Sequence, residues 1–387
     1  MESRAEVERT GVAVGLLLTG VAVVGAQSLL LSPLLSDVAV ALDTGPASIG
    51  RASAAYGVAA AVAAVGLGRR LDPLPRGLVL RTSAGVLALA LVLCAGAPSV
   101  QVLAVGQALA GAAAGVLLPV TYALAGELAP PGEETRVVGR VLVGWSVAMV
   151  AAVPLAAVLA DLAGWRAPFL VLAAVAAALA VLYGALPTGR HGSTRPGSWR
   201  SALAQPGVRP LLLVVLAYMA AFYGSYAYLG DHVRAVQGTG ASTAGLVSLA
   251  YGAGFGVAGL LDGWVDRTGP ARLLLPTVLV LVGVYAVLPA AAGLPWALLA
   301  LCLLWGVVNH SGLGMLVGLL SRHGGTARGM VMALYSSATY LAAALATAAL
   351  GPVYEGLGFP AVAAAVVVGL LVATFPARRI RAQPAGA

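Results

Sequence analysis

Ser53-Ala54-Ala55-Tyr56-Gly57, preceded by Gly50, returns 195 residues later as Ser248-Leu249-Ala250-Tyr251-Gly252, preceded by Gly245. Other landmarks return at offsets of 192 to 194: Asp37 with Asp231, Asp72 with Asp266, Arg136 with Arg328, and Gly164-Trp165 with Gly358-Phe359. That spacing is about half of the 387-residue chain. An ordered duplication over the whole length demands two similar units in parallel, as in pseudo-symmetric two-bundle membrane proteins.

Composition places the duplicated unit in lipid. With 60% hydrophobic residues, 9% charged and a mean hydropathy of +0.96, the chain lies far outside the range of soluble globular proteins. Apolar runs predict helices over 11–35, 47–67, 78–97, 99–123, 140–161, 167–187, 210–229, 243–262, 272–292, 295–318, 329–350 and 359–376. Each is close to the ~20 residues that cross a bilayer as helix. The expected fold is therefore all-α and integral to the membrane, with twelve transmembrane helices in two six-helix bundles, 1–187 and 210–387. The Gly/Ser/Pro-containing stretch 188–209, with Arg190, Arg195 and Arg200, reads as a linker.

All 22 basic residues are arginine. With both termini in the cytoplasm, only Arg51, Arg166 and Arg234 fall on the outer side, which satisfies the inside-positive rule. The net charge of +8 is thus a topology signal spread over short loops, with no concentrated basic face for nucleic acid. Cys94 and Cys302 both fall inside spans, where they read as packing residues and are not clustered for a metal. The first apolar run follows Glu2, Glu6 and Glu8 and is too long for a signal-peptide core, so it reads as a retained helix.

The loop after the second helix holds Gly68, Asp72 and Arg76, and the loop after the eighth holds Asp262, Asp266, Arg267, Gly269 and Arg272. Together with Gly25 and Pro33 in helix 1, Gly111 in helix 4, Gly144 and Pro154 in helix 5, and Gly164-Trp165-Arg166, these residues resemble the major facilitator superfamily. Within it they are most similar to the twelve-helix drug:proton antiporters. The resemblance spans essentially the whole chain. It departs from that branch at Pro73 and Pro75 in the first loop, at Gln107 where helix 4 usually carries an arginine, and at Val153 and Ala156-Ala157 where glycines are usual. The resemblance implies alternating access between two rocking bundles and no enzymatic activity. It also implies that the two loops act as cytoplasmic latches, an aspartate at a helix end accepting from neighbouring amides while arginines tie it to the next loop.

The resemblance lines a central cavity with helices 1, 4, 7 and 10. The expected substrate-binding residues are Gln27, Gln107, Tyr218, Tyr223, Tyr226, Trp305, Asn309 and His310, with Ser28 beside Gln27. Such a wall suits a moderately hydrophobic, uncharged or weakly charged molecule. Ionisable groups at membrane depth are functional by default. Here they are scarce: no carboxylate falls mid-span, Asp37 and Asp231 fall just past the outer ends of helices 1 and 7, and His310 falls inside helix 10. These three are the proton-coupling candidates, with capping open for the aspartates and a bond to Asn309 or to substrate open for His310.

The expected protein is a secondary transporter in a bacterial inner membrane, exporting small molecules on the proton gradient, without a cofactor or metal and as a monomer. Its partners are substrate, protons and lipid. A facilitator or importer of a sugar or metabolite is the alternative. An intramembrane enzyme or a ligand sensor is more remote, because no carboxylate cluster or nucleophile–base pair occurs.

Overall fold

The computed structural model describes residues 4–67, 71, 74–130, 133–186 and 199–381. Among them eleven helices are long and apolar enough to cross a membrane. In chain order the spans are α1 (Arg4–Leu29), α2 (Pro46–Gly66), α3 (Arg76–Ala95), α4 (Val100–Glu127), α5 (Arg136–Ala163) and α6 (Arg166–Leu182). The second bundle has α7 (Val208–Gln237), α8 (Ala241–Thr268), α9 (Pro270–Ala291), α10 (Pro295–His323), α11 (Arg328–Leu357) and α12 (Phe359–Arg381). The 21-residue α2, which carries Arg51 and the first copy of the repeated motif, takes the twelfth place. No strand occurs among the described residues.

Several boundaries differ from the hydropathy runs. The first run extends to residue 35, but α1 stops at Leu29 and a short helix follows at Leu35–Ala41. Pro33 lies in the break, and a proline disfavours helical backbone just before it. Inside α5 the backbone widens to one π turn over Ala148–Ala152, immediately ahead of Pro154, whose missing N–H cannot continue the ladder. The stretch predicted as linker contains a helix at Trp199–Ala204, and α7 begins at Val208, just inside its end.

Twelve alternating spans put the start of α1 and the end of α12 on one face, here called the terminal face; the opposite one is the far face. The two bundles meet along two seams, α2 against α11 and α8 against α5. Lipid offers no hydrophobic gain for joining helices, so association depends on close packing of small residues. The repeated motif supplies them. A methyl group on Gly57 would stand 2.8 Å from the Tyr340 carbonyl oxygen of α11, and one on Gly252 would stand 2.7 Å from Cβ of Met149 in α5. The same motif also packs inward. The main chain of Tyr56 lies on Gly111 of α4 and that of Tyr251 on Gly306 of α10, too close for any side chain at either glycine. The sequence repeat is therefore a packing device that joins α2 and α8 to a partner in each bundle.

Candidate substrate and coupling site

At the far face the bundles are bonded together. Arg234 of α7 donates to both oxygens of Asp37 at 2.7 and 2.8 Å and to the Pro33 carbonyl at 2.9 Å. Asp231 accepts from Ser36 of the first bundle and from Tyr354 of its own, and Ser32 donates to the Tyr226 carbonyl. Asp37 and Asp231 are thus half-buried bonding groups that close the far face, and neither caps a helix or stands free in water. Beneath this seal lies a cavity of about 30 Å³ with Ser28, Ser32, Ser53, Tyr223, Tyr226 and Thr347 in its wall. It has room for about one water-sized guest.

Further toward the terminal face, five tyrosines converge from the two bundles. The phenol oxygens of Tyr56 and Tyr122 from the first and Tyr223, Tyr335 and Tyr340 from the second are near enough to interact electrostatically. Four of the five are half-buried, and Tyr56 keeps a buried hydroxyl with no partner. Trp145 of α5 is fixed beside them, its indole N–H donating to Tyr122 at 3.0 Å. Only Tyr223 of this group lies among the residues expected from the sequence. The others sit on α2, α4, α5 and α11, and all but Tyr122 lie off helices 1, 4, 7 and 10, to which the resemblance directs attention.

The remaining expected residues are mostly occupied by their own bundle. Gln27 donates to Gln107 Oε1 at 3.0 Å, Gln107 donates to Cys94 Sγ at 3.7 Å, and both amides are almost fully buried. Trp305 is fully buried and donates to Tyr285 at 3.1 Å within a ring cluster of Phe222, Tyr226, Tyr251 and Tyr285. Tyr218 donates to the Asn309 carbonyl at 3.0 Å, and the Asn309 side chain donates to Tyr251. Tyr218, Trp305 and Asn309 therefore form the interior of the second bundle and line neither cavity.

His310 is placed differently from the sequence expectation. It does not bond Asn309. Its Nε2 lies 3.2 Å from Asp262 Oδ1, its ring meets Phe255 edge-on at 4.7 Å, and its side chain is 25% exposed. Both line a cavity of about 230 Å³ shared with Asp266, Ser311, Met315 and Arg322, in the terminal-face half of α8 and α10. A short 3-10 segment at Ala258–Leu261 breaks α8 just ahead of Asp262. The hydropathy run ends at 262, so a carboxylate facing the histidine was legible only as a loop residue.

The latch residues are split. Gly68 and Asp72 lie outside the described residues. Arg76 pairs with Glu127 of α4 at 2.7 Å, a bond within the first bundle. Asp266 and Arg267 end the α8 helix, Gly269 turns the chain at φ 99° into α9, and Arg272 is exposed in its first turn. Among the described residues no cluster of three or more metal-ligating side chains occurs.

Comparison with known proteins gives a consistent result. The family model described as Major Facilitator Superfamily matches residues 17–347. The uncharacterized MFS-type transporter YwfA of Bacillus subtilis (strain 168) is 31% identical over 92% of this chain and 90% of its own. A probable sugar efflux transporter of Mannheimia succiniciproducens is 28% identical over 56% of this chain and 55% of its own. Among solved structures, a bacterial homologue of the human lysosomal transporter Spinster, in an inward-facing and unoccupied conformation, superposes with a TM-score of 0.76 at 13% identity, covering 97% of each chain.

Proposed function

Because this chain belongs to the major facilitator superfamily, we propose that it exports uncharged small molecules that combine a ring or apolar face with hydroxyl groups, by alternating access and in exchange for protons. The observation that carries this reading is a group of five neighbouring tyrosines, Tyr56 and Tyr122 from one bundle and Tyr223, Tyr335 and Tyr340 from the other. Phenols present a ring face and an oxygen that both donates and accepts, a match for hydroxylated ligands. A site made from both bundles also loses part of its wall when they rock apart, which releases the ligand. The far-face bonds close that side of the protein, and the inside-positive rule assigns the opposite, terminal face to the cytoplasm.

The drug:proton antiporter expectation narrows accordingly. Efflux of an uncharged molecule is supported by the relatives named as sugar efflux transporters. For coupling, His310 with Asp262 supplies an imidazole and a carboxylate 3.2 Å apart beside a cavity, a pair able to take up and release a proton.

The test is proton release from inside-out vesicles energised to an acidic interior and challenged with disaccharides and alkyl glucosides. Release by wild type with at least one sugar-bearing compound is expected. It should be weakened by Tyr223→Phe or Tyr335→Phe and abolished by Asp262→Asn or His310→Ala. Labelled compound that equilibrates without moving protons would overturn the coupling and leave a facilitator.

A further inference from the structure

The two seams end at the far face in a matched pair of bonds. Asp161, in the last turn of α5, accepts from the backbone N–H groups of Ala241 at 2.7 Å and Ser242 at 2.8 Å, the first residues of α8. Glu355, near the end of α11, accepts from the N–H of Ala47 at 2.7 Å, at the start of α2. The residues correspond across the duplication: Glu355 follows Asp161 by 194 positions, and Ala241 follows Ala47 by the same 194. Each bundle therefore caps a helix of the other.

The caps these helices would otherwise carry are missing. Both begin at a glycine, Gly45 for α2 and Gly240 for α8, and neither makes a side-chain capping bond, whereas α4 begins at Ser99, which caps its own helix. Glycine is not demanded by the backbone, since Gly45 has φ −92° and Gly240 φ −82°, open to any residue. What fills the place of the side chain is the foreign carboxylate. A methyl group on Gly240 would stand 2.7 Å from Asp161 Oδ1, and one on Gly45 would collide with Glu355 Oε1. The carboxylates are themselves held at helix ends, because α5 and α11 both stop three residues later at a positive-φ glycine, Gly164 at 81° and Gly358 at 76°.

We propose that Asp161 and Glu355 are gating residues for transport, two symmetric latches whose bonds to the helix starts of the opposite bundle hold the far face shut. A carboxylate at a helix N-terminus gains from both the free amides and the helix dipole. That gain exists only while the bundles touch here, so it is lost when the far face opens. Asp161 and Glu355 thus set the balance between the two states without touching the tyrosine site.

The test is the rate at which a membrane-impermeant thiol reagent, applied from the far-face side, labels Ser53→Cys in the sealed cavity, with Cys94 and Cys302 replaced by alanine. Asp161→Ala and Glu355→Ala are each expected to raise the rate about fivefold, the scale of one lost cap, and the double variant by about their product. Gly240→Asp and Gly45→Asp separate gating from helix capping, because each supplies a cap from its own chain position and displaces the foreign carboxylate. Both are expected to raise the rate as well. If Asp161→Ala fails to reach the membrane, Gly240→Asp decides alone. Unchanged rates in the alanine variants, or a rise there with none in the self-capped variants, overturns the proposal.

Discussion

A buried amide chain shows how little slack individual residues have. Gln107 stands where the antiporter resemblance expects an arginine, and it accepts from Gln27 and donates to Cys94. Gln107→Leu leaves the Gln27 amide without its acceptor, in surroundings where Gln27 Oε1 already lacks a partner. An orphaned buried polar group costs about 1–3 kcal/mol. Thermal unfolding in detergent should therefore fall for Gln107→Leu and recover in large part for Gln27→Leu with Gln107→Leu, since apolar replacement of both partners is nearly neutral. A double variant as unstable as the single would contradict the pairing. Leu is also too large for Gly306, against which the Tyr251 main chain lies, and overpacking of this kind costs about 1–3 kcal/mol. Gly306→Leu is expected to show reduced yield of folded protein, measured by size-exclusion of the detergent-solubilised material. Tyr56, Tyr122, Tyr335 and Tyr340 escape a sequence reading for a related reason: along a membrane helix a phenol that packs and a phenol that faces a ligand look alike.

Single elements depend on partners that lie far away in the chain. The short helix Leu35–Ala41 is held to α7 by the Asp37–Arg234 pair, whose side chains are 35% and 12% exposed. Partial exposure discounts the pair, and a double-mutant cycle of Asp37→Asn and Arg234→Gln should return a coupling of about 1 kcal/mol in thermal stability, well under that of a fully buried pair. Zero coupling would make the pair incidental. The helices themselves were legible because a span of ~20 apolar residues has no other solution in lipid. Their partners were not. Ser53-x-x-Tyr56-Gly57 repeats plainly, but nothing in it tells that α2 leans on α11 of the other repeat, since small apolar residues read the same against lipid, a neighbour or the opposite bundle. Asp161 and Glu355 keep the same offset as Gly164 and Gly358, but nothing in that spacing shows that each caps a helix of the other bundle.

At the scale of the molecule, the duplication, the seams and the closed far face describe one machine: two bundles joined along α2–α11 and α5–α8, sealed at one face, with tyrosines of both bundles grouped between them and a histidine–carboxylate pair in the second bundle. The twelve-span architecture followed directly from the repeat and the hydropathy. The state of closure did not, because the same chain must encode both states of the cycle. The most direct test places a wedge in one seam. Gly245 of α8 has no room for a side chain against Ala157 of α5, so Gly245→Trp must force the seam apart near the far face. Pulsed electron–electron resonance would compare two label pairs in a cysteine-free background: exposed Val40 with Leu294 at the far face, and exposed Leu74 with Trp264 toward the terminal face. Relative to wild type, the far-face distance should lengthen and the terminal-face distance shorten together. Far-face lengthening with no change at the terminal face, or no movement at either, would contradict alternating access about these seams.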